Sequence, residues 1–274
     1  NLYKVINREN EKIYELIPRG KLKKEEITPI VGDIVEFNEN GTIEEKLLLH
    51  AGKYRIFEID TGSPYYLLDP EIYYFEISEN GQAVHFDFED EPVKTELDIE
   101  KTGIIQAQEG DEIKYDFNTV ANNSNVSIDN FTVVDDLPYE YIDITKLFTG
   151  VYSDEVSINV FYKTNFSEDY ILYKENLSSK TNNYIDFENI ELKEGEYITN
   201  FKMDFGTVPA NFHAETTPFM FSKVKMSVKG DDIWTNNVSL TGTFMDVTLK
   251  DKDDWTTKSY EKELTIKKLP RTGM

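Results

Sequence analysis

Val93-Lys94-Thr95-Glu96-Leu97-Asp98-Ile99-Glu100-Lys101 alternates between two kinds of residue. Successive side chains of a β-strand point to opposite faces. Val93, Thr95, Leu97, Ile99 and Lys101 therefore share one face, and Lys94, Glu96, Asp98 and Glu100 share the other. The first face is mostly apolar and ends on a lysine. The run reads as a strand that carries a single cation toward a core.

The same period-two pattern recurs along the whole chain. It is read over residues 2–6, 43–49, 53–59, 72–77 and 83–88 upstream of this stretch. Downstream it is read over 113–120, 127–134, 156–162, 197–205, 219–228, 238–244 and 259–266. Turn chemistry separates the runs, as in Asn38-Glu39-Asn40-Gly41, Asp60-Thr61-Gly62-Ser63-Pro64 and Glu79-Asn80-Gly81. Only residues 21–26 look helical. Short strands at regular spacing predict an all-β chain built as two tandem β-sandwiches. The register restarts between Lys101-Thr102-Gly103 and Glu109-Gly110-Asp111-Glu112, which predicts domains at 1–100 and 101–266 and a polar tail at 267–274.

Composition narrows the function. The 274 residues are 39% hydrophobic, enough for a core, and carry a formal net charge of -23. Such a chain repels phosphate backbones and anionic lipid, so no nucleic-acid or membrane partner is expected. No run approaches the ~20 apolar residues of a membrane helix. There is no cysteine, so neither disulfides nor a thiol nucleophile are available. His50, His85 and His213 show no metal-ligand spacing. The run Asp251-Lys252-Asp253-Asp254 lacks the glycine and spacing of a calcium loop and reads as a solvated acidic loop. No cofactor, metal or enzymatic activity is expected. Trp234, Trp255 and the many tyrosines could build a sugar-stacking platform, although core packing is the default for aromatics in a β-sandwich.

Three groups of residues resemble known families. Leu269-Pro270-Arg271-Thr272-Gly273 is similar to the LPXTG signal of Gram-positive wall-anchored proteins. The resemblance implies sortase cleavage between Thr272 and Gly273, and transfer of the Thr272 carbonyl to an amine of peptidoglycan or a pilin subunit. Residues 1 to about 101 resemble a collagen-adhesin B-type (Cna-B, pilin-like) domain. Ala51-Gly52-Lys53-Tyr54-Arg55-Ile56-Phe57-Glu58 matches that family's G-x-Y-x-x-x-E strand, and Leu2-Tyr3 its second strand. Ser63-Pro64-Tyr65-Tyr66 stands for A-P-x-G-Y with the Gly lost, and Glu89-Asp90-Glu91-Pro92 for N-x-P with Asp90 replacing Asn. The first strand is then expected to precede Asn1, in a longer protein. Residues from about 101 to 250 are similar to repeat domains of bacterial surface proteins, on Lys101, Gly110-Asp111 with Tyr115, Asp135-Asp136-Leu137-Pro138 and Asn236.

Both of these families often contain self-formed Lys–Asn or Lys–Asp isopeptide bonds assisted by a buried acid. That chemistry needs an inward lysine kept neutral by desolvation and a protonated acid to polarise the acceptor carbonyl. Parity agrees in the second domain: Lys101 lies on the apolar face, Asp135 aligns with Phe131 and Val133, and Asn236 with Trp234, Val238 and Leu240. The plainer alternative is that these polar residues sit at strand ends, where parity no longer means burial. In the first domain Glu58 and Asp90 form half a site. The expected nucleophile belongs to the preceding strand, with Lys4 as a substitute in phase with Leu2 and Ile6.

The resulting expectation is a secreted, sortase-anchored structural or adhesive protein of a Gram-positive cell wall: an adhesin, or an accessory or basal pilin. The Tyr-Pro-Lys motif of polymerising pilins does not occur in the chain. Two alternatives are a module that binds a carbohydrate or a host matrix protein, and an accessory part of a larger surface hydrolase.

Overall fold

A computed structural model describes residues 2–7, 33–36, 51–79, 81–86 and 89–260, with the backbone alone for 2–7 and 33–36. The described chain is all-β, in agreement with the alternating pattern. It divides into two compact units, Asn1–Val93 and Lys94–Met274. The boundary read at 100/101 would cut a strand that lies whole in the second unit.

The first unit contains β1 (Leu2–Asn7), β2 (Asp33–Glu36), β3 (Gly52–Asp60), β4 (Tyr66–Leu67), β5 (Ile72–Ile77) and β6 (Glu91–Pro92). Antiparallel pairing orders four of them β2-β1-β3-β5, and β4 pairs with β6. Within β3, burial alternates over Tyr54, Ile56 and Glu58. The alternation read over 83–88 does not produce a strand in residues 83–86. Val84 is exposed there. Phe86 packs instead on the rings of Tyr73 and Phe75 at 6.0 and 5.3 Å.

The second unit opens with β7 (Leu97–Gly103), β8 (Gln106–Ala107), β9 (Glu112–Asn122), β10 (Asp129–Asp136), β11 (Ile142–Phe148), β12 (Val151–Tyr152) and β13 (Ser157–Thr164). It continues with β14 (Ile171–Ser178), β15 (Tyr184–Asp186), β16 (Ile198–Asp204), β17 (Ala214–Thr216), β18 (Phe219–Val224), β19 (Ile233–Phe244) and β20 (Val247–Ser259). One sheet runs β14-β13-β16-β10-β19-β20-β8 and the other β15-β11-β18-β9-β7. Their inner faces share one core, in which Phe117 of β9 meets Phe201 of β16 edge-on at 6.1 Å. Each fully buried Phe, Ile or Leu contributes about 1.5–3 kcal/mol, so this core can hold a few inward polar groups in place.

The strand expected at 259–266 lies mostly outside the described residues, of which Ser259 is the last of β20. One reading is corrected here. The acidic run 251–254, read as a loop, lies inside β20 and pairs along its length with β19. Residues 21–26, 43–49 and 261–274, with the pentapeptide Leu269-Pro270-Arg271-Thr272-Gly273, fall outside the described residues.

Candidate functional site

Three strands from two sheets bring Lys101, Asp135 and Asn236 together. On β7 the pattern is Leu97, Ile99 and Lys101 inward, with Lys101 only 2% exposed. The β7–β9 register slips between Glu100 and Lys101, so that Glu100 faces Thr119 and Lys101 faces Phe117. The residue left over, Asn118, is a β-bulge. It keeps both Phe117 and Lys101 turned to the core.

On β10, Phe131, Val133 and Asp135 are all fully buried. On β19 the buried set is Trp234, Asn236, Val238 and Leu240. Asp135 pairs across the strands with Val238. Asn236 therefore occupies the neighbouring diagonal position on the same face. The three residues assigned inward by parity are inward, with Lys101 and Asn236 each beside Asp135.

Lys101 Nζ donates a hydrogen bond to Asp135 Oδ2, and both side chains are sealed from solvent. The same Nζ lies 5.2 and 5.0 Å from the ring centroids of Tyr115 and Phe117. Burial pushes the Lys101 pKa down, opposed by the attraction of Asp135. Burial likewise pushes Asp135 up, opposed by Lys101 and by the nearby Asn236 amide. Desolvation is the largest influence on each, so both partners move toward their uncharged forms. These are the protonation states that make an amine nucleophilic and an acid able to donate.

The site is short of hydrogen bonds. Asp135 Oδ1 and both amide atoms of Asn236 are buried without a well-aligned partner among the described residues. Each such orphan costs about 1–3 kcal/mol. Around the site, Trp234 Nε1 donates to Tyr115 Oη at 3.1 Å. Gly103 permits this packing, since a Cβ there would come within 2.6 Å of Tyr115 Cδ1 and 2.9 Å of Trp255. Trp234 is a core residue stacked on Tyr141 at 5.6 Å, and the half-buried Trp255 donates its indole N–H to Ile104 O at 2.9 Å. Neither forms the sugar platform considered from the sequence.

In the first unit, Glu58 is 3% exposed and accepts the Asp69 N–H at 2.7 Å on Oε2, and its Oε1 has no hydrogen-bond partner among the described residues. Burial raises its pKa, and the charges of Asp90 and Asp69 push the same way. Asp90 itself is exposed. Backbone register sets Lys4 opposite Phe57, and Tyr3 opposite Glu58. Among the described residues no group of three or more His, Asp or Glu could hold a metal ion. No helix among them is long and apolar enough to cross a membrane.

A family model described as the RsgA N-terminal domain matches residues 1–44. No curated protein matches by sequence. The solved structures that resemble the chain include the major pilin subunit of Bacillus cereus, at 12% identity and a TM-score of 0.31 over 94% of this chain. They also include the collagen-binding subdomain of an Enterococcus faecalis surface protein, at 10% identity and a TM-score of 0.28 over 58% of this chain and 95% of that one. A third is a putative membrane anchored protein of Corynebacterium diphtheriae, at 13% identity and a TM-score of 0.31 over 85% of this chain. The chain spans 64% of the length of the Bacillus structure and 50% of the Corynebacterium one. At these scores the likeness is shallow, and the fold description rests on the strands themselves.

Proposed function

We propose that the chain is a non-enzymatic structural module of a bacterial surface protein, whose second unit is locked by an amide formed between Lys101 Nζ and Asn236 Cγ. The observation that carries this reading is the buried set of Lys101, Asp135 and Asn236, in which the Asn236 amide lies beside Asp135 with no well-aligned hydrogen bond among the described residues. Neutral Lys101 Nζ attacks Asn236 Cγ while protonated Asp135 donates to Oδ1 and stabilises the developing oxyanion. The Nζ proton passes through Asp135 to Nδ2, the Cγ–Nδ2 bond breaks and ammonia leaves. Asp135 ends in its starting state. The product removes a buried amine and a buried orphan amide, both polar groups that are costly in an apolar interior.

A second product is chemically available, because Nζ touches Asp135 directly. A Lys101–Asp135 amide would release water instead of ammonia. High-resolution intact-mass measurement separates the two. Loss of one ammonia, abolished in Lys101→Ala, supports the Lys–Asn bond, loss of water supports the Lys–Asp bond, and an unmodified mass excludes both.

The wall location rests on the resemblance of Leu269-Pro270-Arg271-Thr272-Gly273 to a sortase signal. In this reading sortase joins Thr272 to an amine of the wall or of a pilin subunit. The β units then act as a spacer that carries a binding end, with a host matrix protein or a glycan as its partner. The test is incubation with sortase and an amine nucleophile: the product ends at Thr272, and Thr272→Ala prevents its formation.

A further inference from the structure

Among the described residues β7 is an edge strand, paired with β9 on one side only. The backbone N–H groups of Ile99 and Lys101 point to the other side and are met by side chains instead of a strand. Asp251 Oδ2 accepts from Ile99 N at 2.8 Å, and Asp253 Oδ2 accepts from Lys101 N at 2.7 Å. Farther along β20, Trp255 Nε1 and Thr257 Oγ1 both donate to Ile104 O at 2.9 Å. Every second side chain of β20 from 251 to 257 is therefore used on the backbone of β7 or the turn after it. The alternate positions, Lys252, Asp254, Thr256 and Lys258, are exposed. This zipper closes the open edge between the two sheets, and one of its teeth grips the residue that carries the nucleophile.

The geometry points to Asp253 as a positioning residue for the Lys101–Asn236 reaction, fixing the Lys101 backbone so that Nζ reaches Asp135 and Asn236. The inference rests on the cross-link reading and adds a residue to it that touches none of the reacting atoms. Its physical basis is orientation. Lys101 is a long side chain with four rotatable bonds, so a small shift or rotation of its Cα moves Nζ by a comparable distance. A 1 Å misplacement of a reacting group can cost about 100-fold in rate. The core fixes Asp135 and Asn236 on central strands, whereas Lys101 sits on an edge with a bulge beside it in β9. The nucleophile is the member of the set that most needs an external clamp. An Asp side chain supplies one without a further strand, and a charged acceptor makes the stronger hydrogen bond.

The test is the rate of cross-linking in full-length chain made by pulsed cell-free synthesis, quenched in acid and read by intact mass. Asp253→Ala is expected to lose ammonia about 10- to 100-fold more slowly than the parent chain. Asp253→Asn retains an acceptor oxygen and is expected to restore the rate to within about threefold of the parent chain, which general loosening of the fold would not reproduce. Asp251→Ala cuts the neighbouring tooth on Ile99 without touching Lys101, and cross-links at close to the parent rate. Asp253→Ala reacting as fast as the parent would overturn the role, as would Asp253→Asn reacting as slowly as Asp253→Ala. Equal slowing by Asp251→Ala and Asp253→Ala would reduce the zipper to general edge closure and overturn it too. A parent chain that never loses ammonia would instead overturn the cross-link reading, and this role with it.

Discussion

Lys101→Ala should change how far the second unit stretches under load. With the Lys101–Asn236 bond in place, strands β8 to β18 lie inside a covalently closed loop and carry no tension. Load entering at residue 94 runs along β7 to Lys101, crosses the amide to Asn236 and leaves through β19 and β20. Only the segments outside the loop, roughly 30 residues, can be drawn out, which at about 3.4 Å per residue is about 100 Å of contour. Without the bond roughly 165 residues extend, or about 550 Å. The difference of about 450 Å does not depend on the folded end-to-end distance. The chain contains no cysteine, so Lys94→Cys and Tyr260→Cys give two unique handles at exposed positions. Single-molecule force extension between them should show the short increment in the parent and the long one in Lys101→Ala. A long increment in both would refute the covalent shortcut.

The remaining predictions concern stability and protonation. Closing a loop of more than 100 residues stabilises by about 5 kcal/mol in the chain-entropy model. By calorimetry, Lys101→Ala should therefore lower the Tm of the second unit by about 10–20 °C at a few degrees per kcal/mol. Asp135→Ala leaves Lys101 buried with no counter-charge and should destabilise by about 3–5 kcal/mol in addition to abolishing ammonia loss, which denaturant titration with mass analysis checks. Asn236→Ala removes two orphan polar atoms while keeping the Lys101–Asp135 contact, so it should fold, show an unmodified mass and lose the shortcut. In the first unit, Glu58 has a folded pKa above its unfolded one. The folded state then binds the extra proton, and stability falls as pH rises from about 4.5 through the folded pKa. Thermal unfolding across that window should show the slope, and Glu58→Gln should flatten it.

Much of this site is legible in the sequence because two of its three strands, β10 and β19, are central and one-sided. Phe131, Val133 and Asp135 on β10, and Trp234, Asn236, Val238 and Leu240 on β19, alternate cleanly since only one face of each meets the core. Parity then carries a polar residue inward as reliably as an apolar one. The same rule misses β20. Its inward positions at 251 and 253 are aspartates that bind backbone N–H groups, and its outward positions are charged as well. Hydrophobic periodicity has nothing to detect there. Strand β14 is missed for the opposite reason: as the outer strand of its sheet it leaves Ile171 and Leu172 exposed. Over 83–86 the alternation is present without a strand, because Phe86 finds ring partners without a ladder.

The most direct test of the account is the mass of the intact, purified chain, with sequencing of the branched peptide that results. A chain lighter by one ammonia, with Lys101 and Asn236 in one branched fragment and Lys101→Ala at the full mass of its own sequence, is the predicted result. An unmodified mass, or a branch joining any other pair, would contradict it.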